Sequence, residues 1–327
     1  MLKIEGTIHP LFTIVIPAYN AETTIRETLL SISSQTFSDY EVVIVNDGST
    51  DSTGEIVEQF SRDRKNVRVI HQENGGSGAA INAGLYAAVG DYICICSSDD
   101  QLISNCLEIQ QASINNQPDF HIFTTAGFHF NDEEGWERPF FNAGEWKISH
   151  EITLERLLEV RFFGSGITFS RSAAIVAGGY AASVYAEDFD FYLRMLLKDY
   201  RMWFASEFCV RQGVSSVQKS ANGALIKESV LTSIENALRG DNLSESNRQI
   251  LESGLDLNRI QLTANERMIK QKAAIDRVLA RIRNKKLRRF LQSCLFALLP
   301  IVRPFIRFAA RVYALRVEGE TSRSKSR

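Results

Sequence analysis

Carboxylates and hydroxyls cluster at three places in this sequence. The stretch YEVVIVNDGSTDST, residues 40–53, is an apolar run that ends in Asp47 and several hydroxyls. A second apolar run ends in SSDD, residues 97–100, and the third cluster is Glu187 and Asp188. Carboxylates can hold Mg²⁺ or Mn²⁺ together with phosphate oxygens, and one positioned carboxylate can act as a general base. Such clusters at the ends of apolar runs therefore favour a functional site.

The elements around these clusters alternate between apolar runs and amphipathic stretches. Nearly continuous apolar strands joined by helices predict an open, mostly parallel α/β sheet flanked by helices. We expect Pro17 to end the first strand, because proline cannot donate to a sheet ladder. The predicted strands cover about residues 12–16, 40–46, 66–72 and 91–96, and two helices cover about 21–34 and 51–60. A third helix is expected within 75–90, ending near Gly90.

Polar residues follow each of these strands: Pro17 begins a polar loop, and Asp47, Asn74 and Asp99 lie in the others. In open parallel sheets, ligands bind at the carboxyl ends of the strands. Polar loops can also simply cap strands, but four of them at one edge favour a ligand site.

The second half of the sequence is less regular. Residues 120–130 and 201–213 predict strands, and residues 138–146 predict an aromatic loop. A short helix is expected over 153–160, and GSGITFSRSAAIVAGGY predicts a strand and then a helix. AEDFDFYLRMLLKDY predicts an amphipathic helix with a core face that includes Phe191. From residue 223 the chain reads as helices. We therefore predict a catalytic domain over 1–222 and a helical region over 223–327.

The five cysteines show no disulfide framework, and Cys94 and Cys96 alternate on one predicted strand as buried residues do. This pattern fits a reducing cytosol. The first twenty residues contain no long apolar segment typical of a signal peptide. We expect a cytoplasmic protein.

The end of the sequence is strongly basic. Residues 281–327 hold 13 Lys/Arg and 2 Asp/Glu, whereas the preceding residues hold 24 and 37. Arg303, Arg307 and Arg311 fall on one helical stripe among apolar residues, which predicts an amphipathic segment over about 281–316 on an anionic membrane surface. Packing on the catalytic domain or on a second copy is the alternative. No nucleic-acid partner is expected, because nothing else in the chain is basic.

The motifs, taken in order, resemble those of family 2 glycosyltransferases with the GT-A fold. They are FTIVIPAYN, VVIVNDGSTDST, ENGGSGAAINAGL, SSDD and AEDFDFYLRM, and the resemblance covers about residues 11–215. It implies a Rossmann-like sheet, a nucleotide-sugar donor, a divalent cation and inversion at the anomeric carbon.

The resemblance also implies nucleotide-binding residues. Asp47 would accept a hydrogen bond from a pyrimidine N–H, although an Asp-Gly-Ser sequence also forms turns. The predicted nucleotide-binding residues are Pro17, Ala18, Tyr19, Asn20, Asp47, Asn74, Gly76, Ser97 and Ser98.

Asp99 is the metal ligand that the resemblance implies, for Mn²⁺ or Mg²⁺. The family's acidic motif is usually Asp-x-Asp, and Ser97 stands at its first position. A hydroxyl can bond a ribose but adds no charge. One carboxylate plus phosphate and water is chemically sufficient for these cations. Asp100 could instead cap a helix.

Asp188 matches the family's general base, and Glu187 is expected to orient the site. Acids in a first helical turn also favour the helix dipole, which is the structural alternative. Arg211 could contact phosphate or lie in water as a surface cation. The residues predicted to contact donor or acceptor are Gly164, Ser165, Gly166, Glu187 and Arg211.

The predicted function is an inverting hexosyltransferase that moves a sugar from a nucleotide-diphosphate sugar, with UDP as the expected nucleotide, to a saccharide or lipid-linked acceptor in bacterial surface polysaccharide synthesis. Ser97, together with Ile81 and Gly213 where relatives often carry Arg and His, also fits a non-catalytic nucleotide-sugar-binding scaffold. The GGSG sequence at 75–78 is a weak sign of a dehydrogenase, because it lacks the three-glycine spacing.

Overall fold

The computed structural model describes residues 9–132, 134–140, 147–159, 165–214, 223–240 and 243–280, with side chains as far as residue 263. The chain divides into two compact units, Met1–Ser233 and Ile234–Arg327. The first unit contains the sheet. The predicted functional division between 1–222 and 223–327 stays a prediction.

Ten strands among the described residues form one sheet, in the order β3-β2-β1-β4-β9-β6-β10-β5, with β7 paired to β6 and β8 to β10. The strands are β1 Phe12–Ala18, β2 Tyr40–Asp47, β3 Val67–Gln72, β4 Tyr92–Ile95, β5 Asp100–Leu102, β6 Ile122–Asn131, β7 Trp136–Pro139, β8 His150–Ile152, β9 Thr168–Ser170 and β10 Met202–Gly213.

Strands β1 to β4 are joined by parallel ladders, as their apolar sequences predict. Strand β9 then runs antiparallel between β4 and β6, and β10 returns to a parallel pairing with β6. The sheet therefore changes from a parallel half to a mixed half at β9.

Helices cover both faces of the sheet in the first unit. Phe12, Ile14 and Ile16 pack with α1 on one face, while Val43 and Val45 pack with Ala80 of α3 on the other. The helices are α1 Ile25–Ser33, α2 Thr53–Ser61, α3 Ser77–Ala87, α4 Cys106–Asn116, α5 Leu154–Glu159, α6 Arg171–Val176, α7 Glu187–Leu196, α8 Gly223–Leu238 and α9 Glu245–Ala280.

Pro17 does not end the first strand, because β1 continues through it to Ala18. The N–H of Cys96 donates to the carbonyl of Val15, so Val15 turns its backbone polar groups toward β4. Pro17, two residues on, faces the same side, but the β4 ladder stops at Ile95. The lack of an N–H on Pro17 therefore costs the sheet no hydrogen bond.

Three other expectations need correction. Asp100 begins the short strand β5, antiparallel to β10, and does not cap a helix, since α4 starts only at Cys106. Arg138 and Pro139 pair with β6 in β7, where a loop was predicted. Helix α1 begins at Ile25, four residues later than predicted, because residues 21–24 form a turn.

Cys94 and Cys96 are buried, as predicted, and Cys106 and Cys209 lie in the same apolar cluster. In the second unit, Leu251 and Leu255 are buried on α9, and Arg259 Nη2 lies 2.7 Å from Glu235 Oε1. Within the described ranges, none of the helices combines the length and the apolar composition needed to cross a bilayer. The basic segment 281–316 lies outside the described residues.

Candidate active site

The loops that follow β1 and β2 are held together by the hydroxyl-rich stretch after Asp47. The N–H of Asn20 donates to Ser49 Oγ at 3.0 Å, and the N–H of Thr50 donates to Asn20 Oδ1 at 2.8 Å. The N–H of Ala21 donates to Thr53 Oγ1 at 2.7 Å. Asn20 adopts a left-handed conformation with φ 46°, which asparagine tolerates better than most residues. The hydroxyls thus fix the shape of the first loop.

A second pair of contacts crosses the same two loops. The N–H of Glu22 donates to Asp51 Oδ2 at 3.1 Å, and the N–H of Ser52 donates to Glu22 Oε2 at 3.0 Å. Burial tends to raise the pKa of Asp51, but hydrogen bonds from Thr53 and Glu22 outweigh it and lower the pKa below its usual value. These acids are used to position the loops.

Asp47 anchors the loop that leads into α3. Its side chain is only 3% exposed. Oδ1 accepts hydrogen bonds from Gln72 Nε2 at 2.7 Å and from the N–H of Gly75 at 2.9 Å, and Oδ2 accepts one from the N–H of Gly76 at 2.9 Å. A carboxylate oxygen has two lone pairs. The predicted contact with a pyrimidine N–H would therefore use the second lone pair of Oδ2.

Of the predicted nucleotide-binding residues, Asn74 lies beside this anchor, next to Gly48. Gly48 has φ +73°, and a Cβ there would lie 2.8 Å from the backbone nitrogen of Asn74. Glycine is therefore required for this close approach. Tyr19, on the loop after β1, exposes 49% of its side chain. Such a ring is available to stack on a flat base.

Helix α3 connects the Asp47 anchor to the segment before α7. It begins directly after Gly76, and Asn82 on this helix binds both backbone groups of Tyr180. Asn82 Nδ2 donates to the Tyr180 carbonyl at 2.7 Å, and the Tyr180 N–H donates to Asn82 Oδ1 at 2.8 Å. The position of the loop before Glu187 is thereby tied to the nucleotide-side loop.

Ser97 is bonded to Ser165, a contact that joins two of the predicted site segments. The N–H of Ser97 donates to Ser165 Oγ at 2.9 Å, and Ser165 Oγ lies 3.0 Å from Ser97 Oγ. The carbonyl of Ser98 accepts a hydrogen bond from Thr24 Oγ1 at 2.9 Å. Ser97 and Ser98 therefore sit between the first loop and the turn at 165–166.

The two acids of the SSDD motif lie in different environments. Asp99 is half-buried, whereas Asp100 is 1% exposed and its Oδ1 accepts a hydrogen bond from the N–H of Gly213 at 2.9 Å. Burial, with the Asp99 carboxylate as the second cause, raises the pKa of Asp100 well above its usual value. Asp99 is thus the more accessible oxygen donor.

The donor set fits a divalent cation that takes few protein ligands. No group of three or more His, Cys, Asp or Glu side chains lies together within the described ranges. Mg²⁺ and Mn²⁺ at nucleotide sites commonly take one or two carboxylates, with phosphate and water completing the shell. Asp99, a half-buried carboxylate, matches that requirement.

Arg211 lies at the end of β10, opposite Gln101 of β5. Its Nε and Nη2 lie 3.0 and 2.9 Å from Glu137 Oε2, and Nη1 donates to Gln101 Oε1 at 2.5 Å. The guanidinium also lies 4.6 Å above the Phe130 ring. The side chain is therefore held in place next to the SSDD motif.

Glu187 and Asp188 occupy the first turn of α7. Glu187 is buried and Asp188 is half-buried, with Oδ1 of Asp188 accepting a hydrogen bond from the N–H of Phe189 at 2.7 Å. Burial, with the nearby Asp188 carboxylate as the second cause, raises the pKa of Tyr180 well above its usual value. The Tyr180 hydroxyl therefore stays protonated close to Asp188.

The structure thus links most of the predicted site residues in steps. Asp47 holds Gly76, α3 holds Tyr180, and Ser97 holds Ser165. Pro17 and Ala18 form the end of β1. Gly166 has φ +72°, and its carbonyl accepts a hydrogen bond from the fully buried Gln110 of α4 at 2.7 Å. Gly164 lies outside the described residues.

The sequence did not predict three polar residues whose hydrogen bonds position the site loops. Gln72, Asn82 and Gln110 contact backbone or carboxylate groups that are distant in sequence, with separations of 25, 98 and 56 residues. Asn82 stood within a recognised motif. For Gln110, the one local signal was that an uncharged polar residue stands on the buried face of a helix.

Comparison with known proteins identifies the class. Residues 13–177 match the family described as Glycosyl transferase family 2. Because this match covers half of the chain, the protein belongs to that family, as the motifs predicted. The dehydrogenase alternative is set aside.

Individual relatives agree with this assignment. The uncharacterized glycosyltransferase EpsJ of Bacillus subtilis is 36% identical over 158 residues, which are 47% of this chain and 45% of EpsJ. The chain therefore spans about half the length of that relative. Other matches include the glycosyltransferase GlyG of Streptococcus pneumoniae, 32% identical over 45% of this chain and 49% of GlyG.

Solved structures confirm the predicted fold. S. aureus TarS, residues 1–349, in complex with UDP, aligns with a TM-score of 0.61 at 25% identity, over 75% of this chain and 70% of that TarS fragment. The mannosyltransferase PcManGT of Pyrobaculum calidifontis, solved with GDP-Man and Mn²⁺, aligns with a TM-score of 0.63 at 19% identity, over 94% and 87%. The second likeness concerns the fold alone.

Proposed function

We propose that the protein transfers a hexose from a UDP-sugar to a hydroxyl of a saccharide or lipid-linked acceptor, with inversion at the anomeric carbon. The observation that carries this proposal is the linked set of Asp47, Ser97 and Asp188 loops in a chain of glycosyl transferase family 2. Bacterial surface polysaccharide synthesis is the proposed setting.

The UDP donor is supported by two observations. TarS, to which the chain is similar, was solved with UDP. In this chain, Oδ2 of the Asp47 carboxylate retains acceptor capacity, and the Tyr19 ring on the loop after β1 is exposed. A carboxylate acceptor selects a base that presents an N–H, and an aromatic ring adds stacking without selecting among bases.

Asp99 would hold Mn²⁺ or Mg²⁺, with the Ser97 hydroxyl directed to the ribose. When bound, the cation would neutralise charge on the diphosphate. Asp100 has a different task, since its buried carboxyl already accepts the Gly213 N–H and so ties β5 to β10.

Asp188 is the proposed general base. It would accept the proton of the acceptor hydroxyl while that oxygen forms a bond to C1 of the sugar from the face opposite the diphosphate. The bond between C1 and the phosphate oxygen breaks, and UDP leaves with the electron pair. Glu187, which is buried beside it, keeps the first turn of α7 in position.

The membrane location is proposed from sequence alone. The basic amphipathic segment 281–316 would hold the enzyme on the anionic inner face of the cell membrane, close to a lipid-linked acceptor. A homodimer through the same segment is the other proposed use.

The test is a UDP-release assay on the full chain, with a panel of UDP-sugars and Mn²⁺. We expect one donor to be turned over, and Asp188→Asn to lower kcat by roughly 10²- to 10⁴-fold with unchanged UDP affinity. Asp199→Asn is the matched control, because Asp199 is exposed at the other end of α7 and its left-handed backbone suits asparagine.

Equal activity of the Asp188→Asn enzyme and the wild type would exclude Asp188 as the base. If the wild type binds UDP but releases none from any UDP-sugar, the non-catalytic scaffold alternative, motivated by Ser97, would replace the proposal.

A further inference from the structure

The face of the sheet that carries α7 extends onto β6 and β10. Phe169 of β9 has its ring centroid 5.0 Å from that of Phe191 of α7, and it pairs with Ile122 of β6. Side chains alternate between the two faces along a strand. The β6 residues on the α7 face are therefore Ile122, Thr124, Ala126, Phe128 and Phe130.

Strand β10 is irregular where it passes this face. Phe208 pairs with Ala126, and the register shifts on both sides of it, between Ala205 and Phe208 and between Phe208 and Val210. Such bulges redirect a side chain and occur often beside active sites. Here the irregularity places the Phe208 ring against Phe128, with centroids 4.4 Å apart and an interplanar angle of 16°.

The Phe208 ring is also accessible, since 42% of its side chain is exposed. One ring face lies against Phe128, so the exposed area comes from the other face and the ring edge. Most apolar side chains of β6 and β10 are buried by comparison. The exposed face of this ring is therefore available for contact with a ligand.

Polar groups border the ring pair on the side of the SSDD motif. Arg211 pairs with Phe128 and so shares its face, and its guanidinium is held by Glu137 and Gln101. The next residue, Gln212, pairs with Asp100. Because of the irregularity, Phe208 and Gln212 pair with Ala126 and His129 of β6, which are three positions apart, roughly 10 Å along a strand.

We propose that Phe208 and Phe128 bind a pyranose ring of the acceptor, with Arg211 and Glu137 available to its hydroxyl groups. This inference rests on the proposed function and adds the acceptor class to it. The face of an aromatic ring is electronegative and attracts the positively polarised C–H groups of a sugar face. The neighbouring Arg211 guanidinium and Glu137 carboxylate can form hydrogen bonds with sugar hydroxyls. The distance from the ring pair to the SSDD motif is one that a short saccharide can span.

The charged border argues against an apolar occupant. A lipid tail would require a continuous apolar surface, whereas this ring pair is followed at once by a guanidinium and a carboxylate. A nucleotide base has its own stacking ring in Tyr19, on the loop after β1. A saccharide is the ligand whose C–H faces and hydroxyls match both parts of this surface.

The experiment is saturation-transfer NMR on the full chain with UDP and Mn²⁺, using methyl glycosides of the common hexoses and N-acetylhexosamines as probes. We expect ring C–H protons of at least one glycoside to receive saturation, and Phe208→Ala to lower that affinity by roughly tenfold. Phe208→Leu, which keeps apolar packing on Phe128, should lose as much, and Phe208→Trp should retain binding. UDP affinity should be unchanged in all of them.

Tyr86→Leu is the matched control, because Tyr86 is an exposed aromatic residue on α3 with 58% exposure. Full binding by Phe208→Leu, or no signal from any glycoside with a wild type that binds UDP, would overturn the acceptor proposal. A wild type that does not bind UDP would instead contradict the proposed function. The same NMR experiment is repeated with alkyl chains as probes. If Phe208→Leu loses the saturation-transfer signal of the alkyl chains and keeps that of the glycosides, the surface binds lipid and the saccharide proposal is overturned.

Discussion

The two halves of the sheet are built differently. In the half formed by β1 to β4, the strands are parallel, and polar side chains bond the loops to one another at their carboxyl ends. In the half formed by β6 and β10, antiparallel strands are inserted, β10 is irregular, and aromatic rings lie on the surface. In the first half, hydrogen bonds between carboxylates and backbone groups fix the loops. In the second half, aromatic side chains on the sheet form the accessible surface.

This difference matches two kinds of ligand. A nucleotide diphosphate presents a fixed set of N–H, hydroxyl and phosphate groups, which a rigid set of hydrogen-bonding partners recognises well. Acceptors vary in ring and linkage, and exposed side chains on an irregular strand can change without disturbing the sheet. The comparison therefore separates donor binding from acceptor binding, and the following variants test that separation.

Asp47→Ala should have the largest effect. Its removal leaves the Gly75 and Gly76 N–H groups and the Gln72 amide without their buried acceptor. We expect the free energy of unfolding to fall by about 3 kcal/mol and UDP affinity by roughly 10- to 100-fold. Calorimetry measures the affinity, and denaturant unfolding measures the stability.

Asp63→Ala is the control for Asp47→Ala, because Asp63 is an exposed acid after α2. If Asp47→Ala binds UDP as tightly as Asp63→Ala does, Asp47 belongs to the fold and not to the donor site.

Gly166→Ala tests the turn that joins the two halves. Gly166 has φ +72°, and a Cβ there would lie 3.1 Å from Val210 Cβ, whereas Gly135 has φ +68° and no atom within 4 Å. Both changes should cost about 1–2 kcal/mol for the left-handed backbone, and Gly166→Ala about 1 kcal/mol more for the contact. Thermal and denaturant unfolding measure both variants, and equal losses would mean that Val210 moves aside freely.

Asn82→Ala should separate chemistry from nucleotide binding. It removes both bonds to the Tyr180 backbone and should cost about 2 kcal/mol of stability. Because Tyr180 precedes α7, we expect kcat to fall by roughly tenfold, with a smaller change in UDP affinity. The exposed amide Gln59 supplies the control Gln59→Ala. A larger effect on UDP affinity than on kcat would show that α3 serves the donor loop alone.

Asp51→Asn should have the smallest effect and a defined pH dependence. The folded pKa of Asp51 is lowered, so the unfolded chain binds more protons in the acid range and stability rises with pH there. The stability supplied by the Asp51 carboxylate is complete above its unfolded pKa, about 3.9. It is lost as the pH falls through the folded pKa.

The difference in stability between wild type and Asp51→Asn should therefore be full above about pH 3.9, shrink as the pH falls below that value, and vanish below the folded pKa. A difference that stays constant from acid to neutral pH would show that the carboxylate charge contributes nothing to the crossing of the two loops.

The parallel half was largely predictable from sequence. Apolar runs such as FTIVI and VVIV fix buried strands, and motif residues such as Asp47 and Asp99 lie at their ends as expected. The error at Pro17 arose because the neighbouring ladder ends before it, which depends on the length of β4 and not on the local sequence.

The mixed half was less predictable. Strands β5, β7 and β8 are short, and each pairs with a longer strand, β6 or β10. The stacking of Phe208 on Phe128 depends on register shifts in β10, which the hydrophobic pattern of the sequence does not predict. Contacts between residues far apart in sequence, such as Asn82 with Tyr180, carry no local signal.

The most direct test of the account is calorimetric titration of the full chain with UDP, GDP and dTDP, each with and without Mn²⁺, beside Asp99→Ala. The account predicts that UDP binds in a Mn²⁺-dependent manner and that Asp99→Ala loses this dependence. UDP binding that is indifferent to Mn²⁺ and to Asp99, or no binding of UDP at all, would contradict it.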